Sequence, residues 1–383
     1  MKKTTDMHVL HIASDFIATK VHVSLFKELA EQKVKQTIYC PIRHETHKGS
    51  NSFEAAGTDI VYDFVIKPYH RYFYHIKRHD LFCSLQKRVD LNEIDLCHAA
   101  TLLTDGGQAY KIYKKYHIPY VVAVRNTDIN GFLDKAPNTW LAARKILCNA
   151  NKILFISQAL MDKFSSHKVI KPILLEIKDK MVLIPNGIDN YFLDHVKRDL
   201  IERSGHTVLY VGNFSRNKNV LRLCEAVLQL SKEDEFSDIT LTLVGGGGRD
   251  ADENVPQWIE EHKNVADFIG PIYEKDKLCE VFRRHNVFAM PSIHETFGLV
   301  YIEALSQNLP VLFTKGQGID RLFPPSIGAA VNPLSIGEIK AALSTLLLNN
   351  TEYSNDGIDF EMFRWSKIAS KYTHIYNQII CEK

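Results

Sequence analysis

FAMPSIHETFGLVYIEALSQNLPVLFTKGQGIDRLF, residues 288–323, holds the chain's most informative pattern of apolar and polar residues. It opens on a short apolar run at 287–290 and passes through a polar turn carrying Glu295. The apolar residues that follow, Leu299, Ile302, Leu305 and Leu309, fall three and four apart. That spacing predicts a helix opening near 296–298 with one face packed on a sheet. A second apolar run at 311–313 completes a strand, turn, helix, strand unit, which is half of an α/β layer.

The polar residues of the stretch carry the chemistry. Glu295 and Glu303 bracket Gly298, which stands at the expected helix N-terminus. With no side chain there, the first backbone N–H groups are open to an anion, and the helix dipole favours its charge. Two carboxylates flanking an anion would repel it unless each turns toward neutral hydroxyls, where a charged acceptor contributes roughly 1.5–3 kcal/mol. A ligand with phosphate in the middle and a sugar at either end meets both demands, and a nucleoside diphosphate sugar is such a ligand.

At this point the residues resemble the retaining glycosyltransferases of family 4, also called glycosyl transferases group 1. Glu295 and Glu303 match the family's E-x7-E motif, Phe297, Gly298 and Leu299 its FGL, and Pro310-Val311 the pair that follows. The resemblance implies an α/β protein of the GT-B fold: two Rossmann-like domains facing across a cleft, with a C-terminal helix returning to the first. It also implies a metal-independent enzyme with no cofactor, taking its donor sugar from a nucleotide.

Length and composition agree with two domains. A chain of 383 residues exceeds one ordinary core. The expected division is an acceptor-binding domain at 1–195, joined by a terminal helix at 364–383, and a nucleotide-sugar-binding domain at 196–363. No run of eighteen apolar residues exists to span a membrane. The opening MKKTTDMHVLHIAS reads as entry into a strand and not as a secretory leader, so a cytoplasmic protein is expected, acting at the inner membrane face where its acceptor is lipid-linked. Seven cysteines without CxxC or Cys/His spacing are expected to be buried reduced thiols. Charge is unevenly shared: residues 1–190 hold 27 Lys and Arg against 19 Asp and Glu, residues 191–383 hold 20 against 26. A moderately basic first half suits an anionic surface or acceptor but falls far short of a nucleic-acid binder.

Taken in order, the chain alternates strand and helix patterns from the start, which implies parallel sheets whose ligands sit beyond the carboxyl ends of the strands. KPYHRYFYHIKRHD, 67–80, mixes aromatic and basic side chains in the way that suits lipid headgroups or glycan phosphates, and gives an expected peripheral membrane contact in the first domain. His75 and His79 have metal-ligand spacing but no evident third ligand. RNTDI, 125–129, is similar to the family's HGTDI: Thr127, Asp128 and Ile129 agree, and Arg125 stands where the histidine is usual. Arg125 or Asp128 is thus a candidate for sugar or acceptor contact, with an Arg–Asp structural pair as the alternative. The loop at 14–21 has no glycine pair where the family usually has one, and Lys20 offers a charge instead.

In the second half, TVLYVGNFSRNKNVLRLCEAV, 207–227, resembles the family's G-R-L-x-x-x-K-G followed by a helix. Gly212 ends the strand, Asn213 replaces the usual arginine, Lys218 keeps the lysine position, and Arg216 is near enough to supply the missing charge. LTLVGGGGRDADE, 241–253, is glycine-rich without a P-loop pattern, and its Asp250 and Asp252 are assigned no metal. Gly270 and Ile272 match the loop that commonly faces the nucleotide base.

Two carboxylates also serve glycosidases, which place them about 5–9.5 Å apart across one bond. Eight residues of helix span about 12 Å, so Glu295 and Glu303 are better suited to opposite ends of a longer ligand. The expected reaction is retaining transfer of a hexosyl group to a hydroxyl of a glycan or lipid-linked acceptor, in surface polysaccharide or glycoconjugate synthesis. Glu295 would hold donor-sugar hydroxyls, Glu303 the ribose, the amides at 297–299 the phosphates, and Lys218 with Arg216 the leaving diphosphate. A non-catalytic nucleotide-sugar-binding protein and a GT-B nucleotide-sugar epimerase are the alternatives.

Overall fold

The computed structural model describes residues 7–199, 203, 205–248 and 250–382. Residues 1–6, read above as no leader, and 200–202 and 204, near the expected domain boundary, lie outside that set. The chain divides into two compact units: residues 1–156, 160–187 and 365–383, and residues 157–159 and 188–364.

The first unit contains β1 (His8–Ile12), α1 (Lys20–Glu31), β2 (Lys35–Ile42), β3 (Thr58–Phe64), α2 (Tyr74–Arg88), β4 (Leu96–Ala99), α3 (Thr104–Tyr116), β5 (Tyr120–Ala123), α4 (Trp140–Asn149), β6 (Lys152–Phe155), α5 (Gln158–Ser166), α6 (Leu174–Ile177) and β7 (Met181–Leu183). Its strands form one parallel sheet in the order β3-β2-β1-β4-β5-β6-β7. Every residue of β1, β4 and β5 is buried, as expected of parallel strands covered by helices on both faces.

The second unit contains α7 (Asn190–Asp194), β8 (Thr207–Gly212), α8 (Val220–Leu230), β9 (Thr240–Gly245), α9 (Asn254–Glu261), β10 (Ala266–Gly270), α10 (Lys275–Arg284), β11 (Val287–Ala289), α11 (Leu299–Ser306), β12 (Val311–Thr314), β13 (Gly328–Val331) and α12 (Ile336–Leu348). Its parallel sheet runs β10-β9-β8-β11-β12-β13. In each sheet the strand order reverses once, between β1 and β4 and between β8 and β11. Such switch points leave a crevice beyond the carboxyl ends of the two flanking strands, and ligands of doubly wound sheets bind there.

The last helix, α13 (Trp365–Cys381), belongs to the first unit. Trp365, Ile368, Tyr372, Ile375 and Ile379 form its buried stripe. Gln32 at the end of α1 donates to Ser366 O at 2.9 Å and Ser370 Oγ at 3.0 Å, and accepts from Thr373 Oγ1 at 2.9 Å. The division falls after 187, where 195 was expected. Residues 188–195 go with the second unit because Ile188 bridges Arg364, Arg364 pairs with Asp194 at 2.9 Å, and Phe192 packs edge-on against Phe282. Four cysteines, Cys40, Cys97, Cys224 and Cys279, are buried free thiols, whereas Cys83 and Cys148 are half-buried and Cys381 is exposed, because only the first four sit on core-facing positions.

Candidate functional site

In the second unit the switch point joins the loop after β8 to the loop after β11. Two asparagines tie these loops together. Asn217 donates through Nδ2 to His294 O at 2.8 Å and accepts from His294 N at 3.1 Å, while its carbonyl accepts from Ile293 N at 2.8 Å. Asn219, in the left-handed conformation at φ 61°, opens α8 and donates to Pro291 O at 2.9 Å and Pro333 O at 2.6 Å. Between them Lys218 is carried onto Glu295, with Nζ 2.7 Å from Oε2. The two residues that sequence assigned to sugar and diphosphate, 77 positions apart, therefore meet.

Glu295 is 8% exposed, so its charge relies on partners. Oε1 accepts from Thr296 N at 3.0 Å, and Ser292 Oγ lies 3.4 Å from Oε2. The Glu295 amide donates to Gln317 Oε1 at 2.7 Å, and Gln317 Nε2 donates to Ile293 O at 2.7 Å. Gln317 thus braces the loop from behind. Gly318 follows at φ 56°, where a Cβ would sit 3.0 Å from both Glu295 Cγ and Phe297 O. The site needs a glycine there for the loop to approach.

Gly298 caps α11 at φ 78°. The N–H groups of Phe297, Gly298 and Leu299 have no acceptor among the described residues, so they form the open helix N-terminus that the sequence predicts. A Cβ on Gly298 would lie 2.4 Å from Tyr301 Cδ2, and the left-handed backbone adds strain of about 1–3 kcal/mol for another residue. Tyr301 cannot yield easily, since it is buried and donates its hydroxyl to Met290 O. Gly298→Ala is therefore expected to lower unfolding free energy by at least about 2 kcal/mol in denaturant titration. An unchanged midpoint would mean that the loop is looser than this geometry.

Glu303, in the second turn of α11, is half-buried and faces Asp189, Lys275 and Cys279. Burial, then repulsion from Asp189, push its carboxyl up to about 7, against the pull of Lys275. Lys275 itself pairs with Asp189. The Glu303 carboxylate accepts no hydrogen bond among the described residues.

The remaining expected residues are more dispersed. Arg216 is exposed and lines a cavity of about 450 Å³ with Asn219, Arg222, Asp252 and Ile293, distinct from the Lys218–Glu295 contact. Asn213 uses its side chain on its own turn, accepting from Ser215 N at 3.3 Å, after Gly212 ends β8. Gly270 ends the edge strand β10 and Ile272 follows it, with β9 and β8 between that strand and β11, roughly 14 Å across the sheet.

In the first unit the equivalent corner is built from the ends of β1, β4 and β5. Asp128 is 1% exposed, and its carboxylate accepts from Leu102 N at 3.1 Å, Leu103 N at 3.4 Å and Arg125 N at 2.9 Å. The Asp128 carboxylate thus fastens the loop after β4 to the loop after β5. It does not form a side-chain pair with Arg125, whose Nε donates to Ala100 O at 3.2 Å. Burial pushes the Asp128 carboxyl up to about 6.

Two further pairs had no sequence signal. His22 Nε2 lies 2.9 Å from Asp15 Oδ1. Burial works against the Asp15 carboxylate, but His22 and then Arg125 hold its pKa below the usual value. Asp105 is fully buried, takes Ser14 N at 3.2 Å and Thr101 Oγ1 at 2.8 Å, and is pushed up to about 8 by burial and by Asp15. Lone Asp and His residues in unrelated segments carry no spacing pattern, so only the fold assembles them.

A family model described as Glycosyltransferase Family 4 matches residues 18–190, and one described as Glycosyl transferases group 1 matches residues 194–358. The D-inositol 3-phosphate glycosyltransferase of Corynebacterium glutamicum is 26% identical over 261 residues, 63% of this chain and 61% of that protein. The chain spans about 60% of the length of such curated relatives. Among solved structures, the sucrose-phosphate synthase of Thermosynechococcus elongatus superposes with a TM-score of 0.73 at 17% identity, covering 98% of this chain and 100% of that one. HepE of Anabaena, solved in complex with UDP-glucose, gives 0.62 at 16% identity, with 98% of both chains covered. These superpositions identify the two Rossmann-like units as the GT-B fold, and the two matched models, which between them take in nearly all of the chain from 18 to 358, establish that it belongs to glycosyltransferase family 4.

Proposed function

We propose that this protein is a retaining hexosyltransferase that moves a sugar from a nucleoside diphosphate donor to a hydroxyl of a glycan or lipid-linked acceptor, in surface polysaccharide or glycoconjugate synthesis. The observation that carries the reading is the Lys218–Glu295 contact of 2.7 Å beside the open N-terminus of α11. An ammonium and free amides in one corner suit a diphosphate, and the adjacent carboxylate suits sugar hydroxyls. HepE, of the same fold, binds UDP-glucose, which supports a nucleotide donor of that class here.

In this reading the donor occupies the second unit, its ribose on Glu303 and its base toward Ile272. Lys218 turns from Glu295 to the diphosphate as the donor enters, releasing Glu295 to the sugar. The acceptor oxygen forms its bond to the anomeric carbon as the bond from that carbon to the phosphate oxygen breaks. The acceptor proton passes to the departing diphosphate on the same face, which accounts for retention. Lys218 and the α11 amides meet the charge that develops on the leaving group, and Arg216 adds a more distant positive charge. Asp128 acts on the acceptor side as a positioning group, by holding the loops at the ends of β4 and β5.

A melting-temperature screen with UDP, GDP and ADP tests the donor site, since a ligand at 100 times its dissociation constant stabilises by about 2.7 kcal/mol. Stabilisation by none of the three would end the reading. Binding without transfer to any acceptor would leave the non-catalytic alternative. The pH dependence is specific. Because the Glu303 pKa is raised to about 7 from 4.5, its contribution to ligand-free stability is full below about pH 4.5 and lost as pH rises to about 7. Donor affinity should move oppositely, increasing several-fold from pH 6 to pH 8 as the carboxylate ionises and accepts ribose hydroxyls. Glu303→Gln is expected to flatten that rise in a calorimetric titration, and an equally steep rise in the variant would remove Glu303 from the ribose site.

A further inference from the structure

Among the described residues, five of the twelve exposed large apolar side chains fall within thirteen positions: Phe64, Tyr69, Tyr72, Phe73 and Ile76. Tyr72 is 74% and Phe73 55% exposed. Isolated surface apolar residues need no explanation, but a contiguous cluster marks an interaction site. The segment presents them because its other aromatic residues are anchored inward. His70 is buried, takes the Lys67 amide on Nδ1 at 3.1 Å, and lies 3.1 Å from Asp80 Oδ2 through Nε2. Tyr74, also buried, donates to Leu103 O at 3.1 Å. With residues 70 and 74 pinned, the side chains between them are held against water by ordered backbone.

The charge around the cluster has one sign. Residues 64–79 contain four Lys and Arg, three His and no Asp or Glu. Lys67 and Arg71 are exposed, and the Lys67 ammonium sits 4.6 Å from the Phe64 ring centroid. Of the two flanking acids, Asp63 is buried and paired with Arg88 at 2.8 Å, and Asp80 is engaged by His70 and by the Tyr69 hydroxyl at 3.3 Å. The neighbouring loop after β2, tied on by Ile66 N to Ile42 O at 3.1 Å, adds Arg43 and Lys48 against Glu45 and Glu54, and so leaves the charge of the segment unchanged.

We propose that residues 64–76 form the surface by which the first unit docks on an anionic lipid bilayer. Aromatic rings with a polar edge settle at headgroup depth, and interspersed cations meet the lipid phosphates. No helix among the described residues is long and apolar enough to cross a membrane, so the contact is peripheral. Phe64 ends β3, which puts the surface at the carboxyl end of the first sheet, the same end as the Asp15, His22 and Arg125 corner. If the acceptor is lipid-linked, as the proposed function has it, docking here would bring its headgroup to that corner. The docking itself does not depend on that reading.

Vesicle sedimentation of the full chain decides it. The chain is expected to bind vesicles of mixed phosphatidylglycerol and phosphatidylcholine, to ignore phosphatidylcholine alone, and to be released by salt. Lys67→Ala with Arg71→Ala should weaken binding on the order of 30-fold, and Tyr72→Ser with Phe73→Ser by about tenfold or more. Both variants should keep the wild-type nucleotide-dependent shift in melting temperature, which reports a folded chain and separates this test from that of the donor site. Failure of the wild-type chain to bind anionic vesicles at low salt, or undiminished binding by both variants, would overturn the proposal. So would binding to heparin without binding to vesicles, which would point to a soluble polyanion.

Discussion

Lys218→Ala is expected to lower kcat by about 10²-fold or more, the scale of one lost charge-stabilising group at a developing anion. The ammonium is 2.7 Å from a carboxylate of which only 10% of the side chain is exposed, so it works where water screens little. Donor binding should weaken as well, because the diphosphate is charged before the reaction. The loss in kcat beyond the loss in affinity measures what Lys218 does for the leaving group alone. Removing it also takes a close cation from the buried Glu295 carboxylate, which would destabilise the loop. Lys218→Arg separates the two effects: it keeps the charge that Glu295 needs, but a planar guanidinium does not reproduce the contact of a compact ammonium. A variant that folds normally and turns over at near wild-type rate would remove Lys218 from the leaving-group role. Glu303→Ala is expected to fall on the same scale, through loss of donor hold.

Asp128→Ala is expected to produce the largest loss of stability, about 3 kcal/mol or more. Its carboxylate serves three backbone N–H groups on two loops, and alanine would leave buried donors without acceptors at about 1–3 kcal/mol each. Asp128→Asn keeps one acceptor oxygen and should lose less. Urea unfolding of the two variants gives the difference directly. Equal stability for Asp128→Ala and the wild type would show that water replaces the carboxylate, and the positioning role would fall.

Much of the second unit's site was legible because its residues lie close in sequence around one helix terminus. Phe297 to Leu299 and Glu295 belong to one turn, and a turn is specified locally: a glycine where φ is positive, polar residues before it, an apolar periodicity after it. Lys218 was legible only by register against a motif, since nothing local to 212–219 says which side chain faces a carboxylate 77 positions away. Arg216 shows the limit of that register: two residues from Lys218, it lines a separate cavity with Arg222 and Asp252, because a short 3-10 turn and the left-handed Asn219 rotate successive side chains away from each other. The first unit was the less legible. The motif at 125–129 marked Asp128 as a candidate contact to sugar or acceptor but gave no sign that its carboxylate fastens two loops, and the Asp15–His22 and Thr101–Asp105 pairs had no motif to announce them.

Two parallel α/β units, the terminal helix with its apolar stripe and the open helix end at Gly298 follow from local patterns, since periodicity, glycine placement and apolar runs act over a few residues. Which charges meet depends on the assembled fold. Asn217, Asn219 and Gln317 bring Lys218 to Glu295, burial and Asp189 raise the Glu303 carboxyl, and His70 and Tyr74 turn their neighbours outward. The reason is range: backbone propensity is a property of neighbours in the chain, whereas desolvation and ion pairing depend on which distant segments the sheet order places side by side.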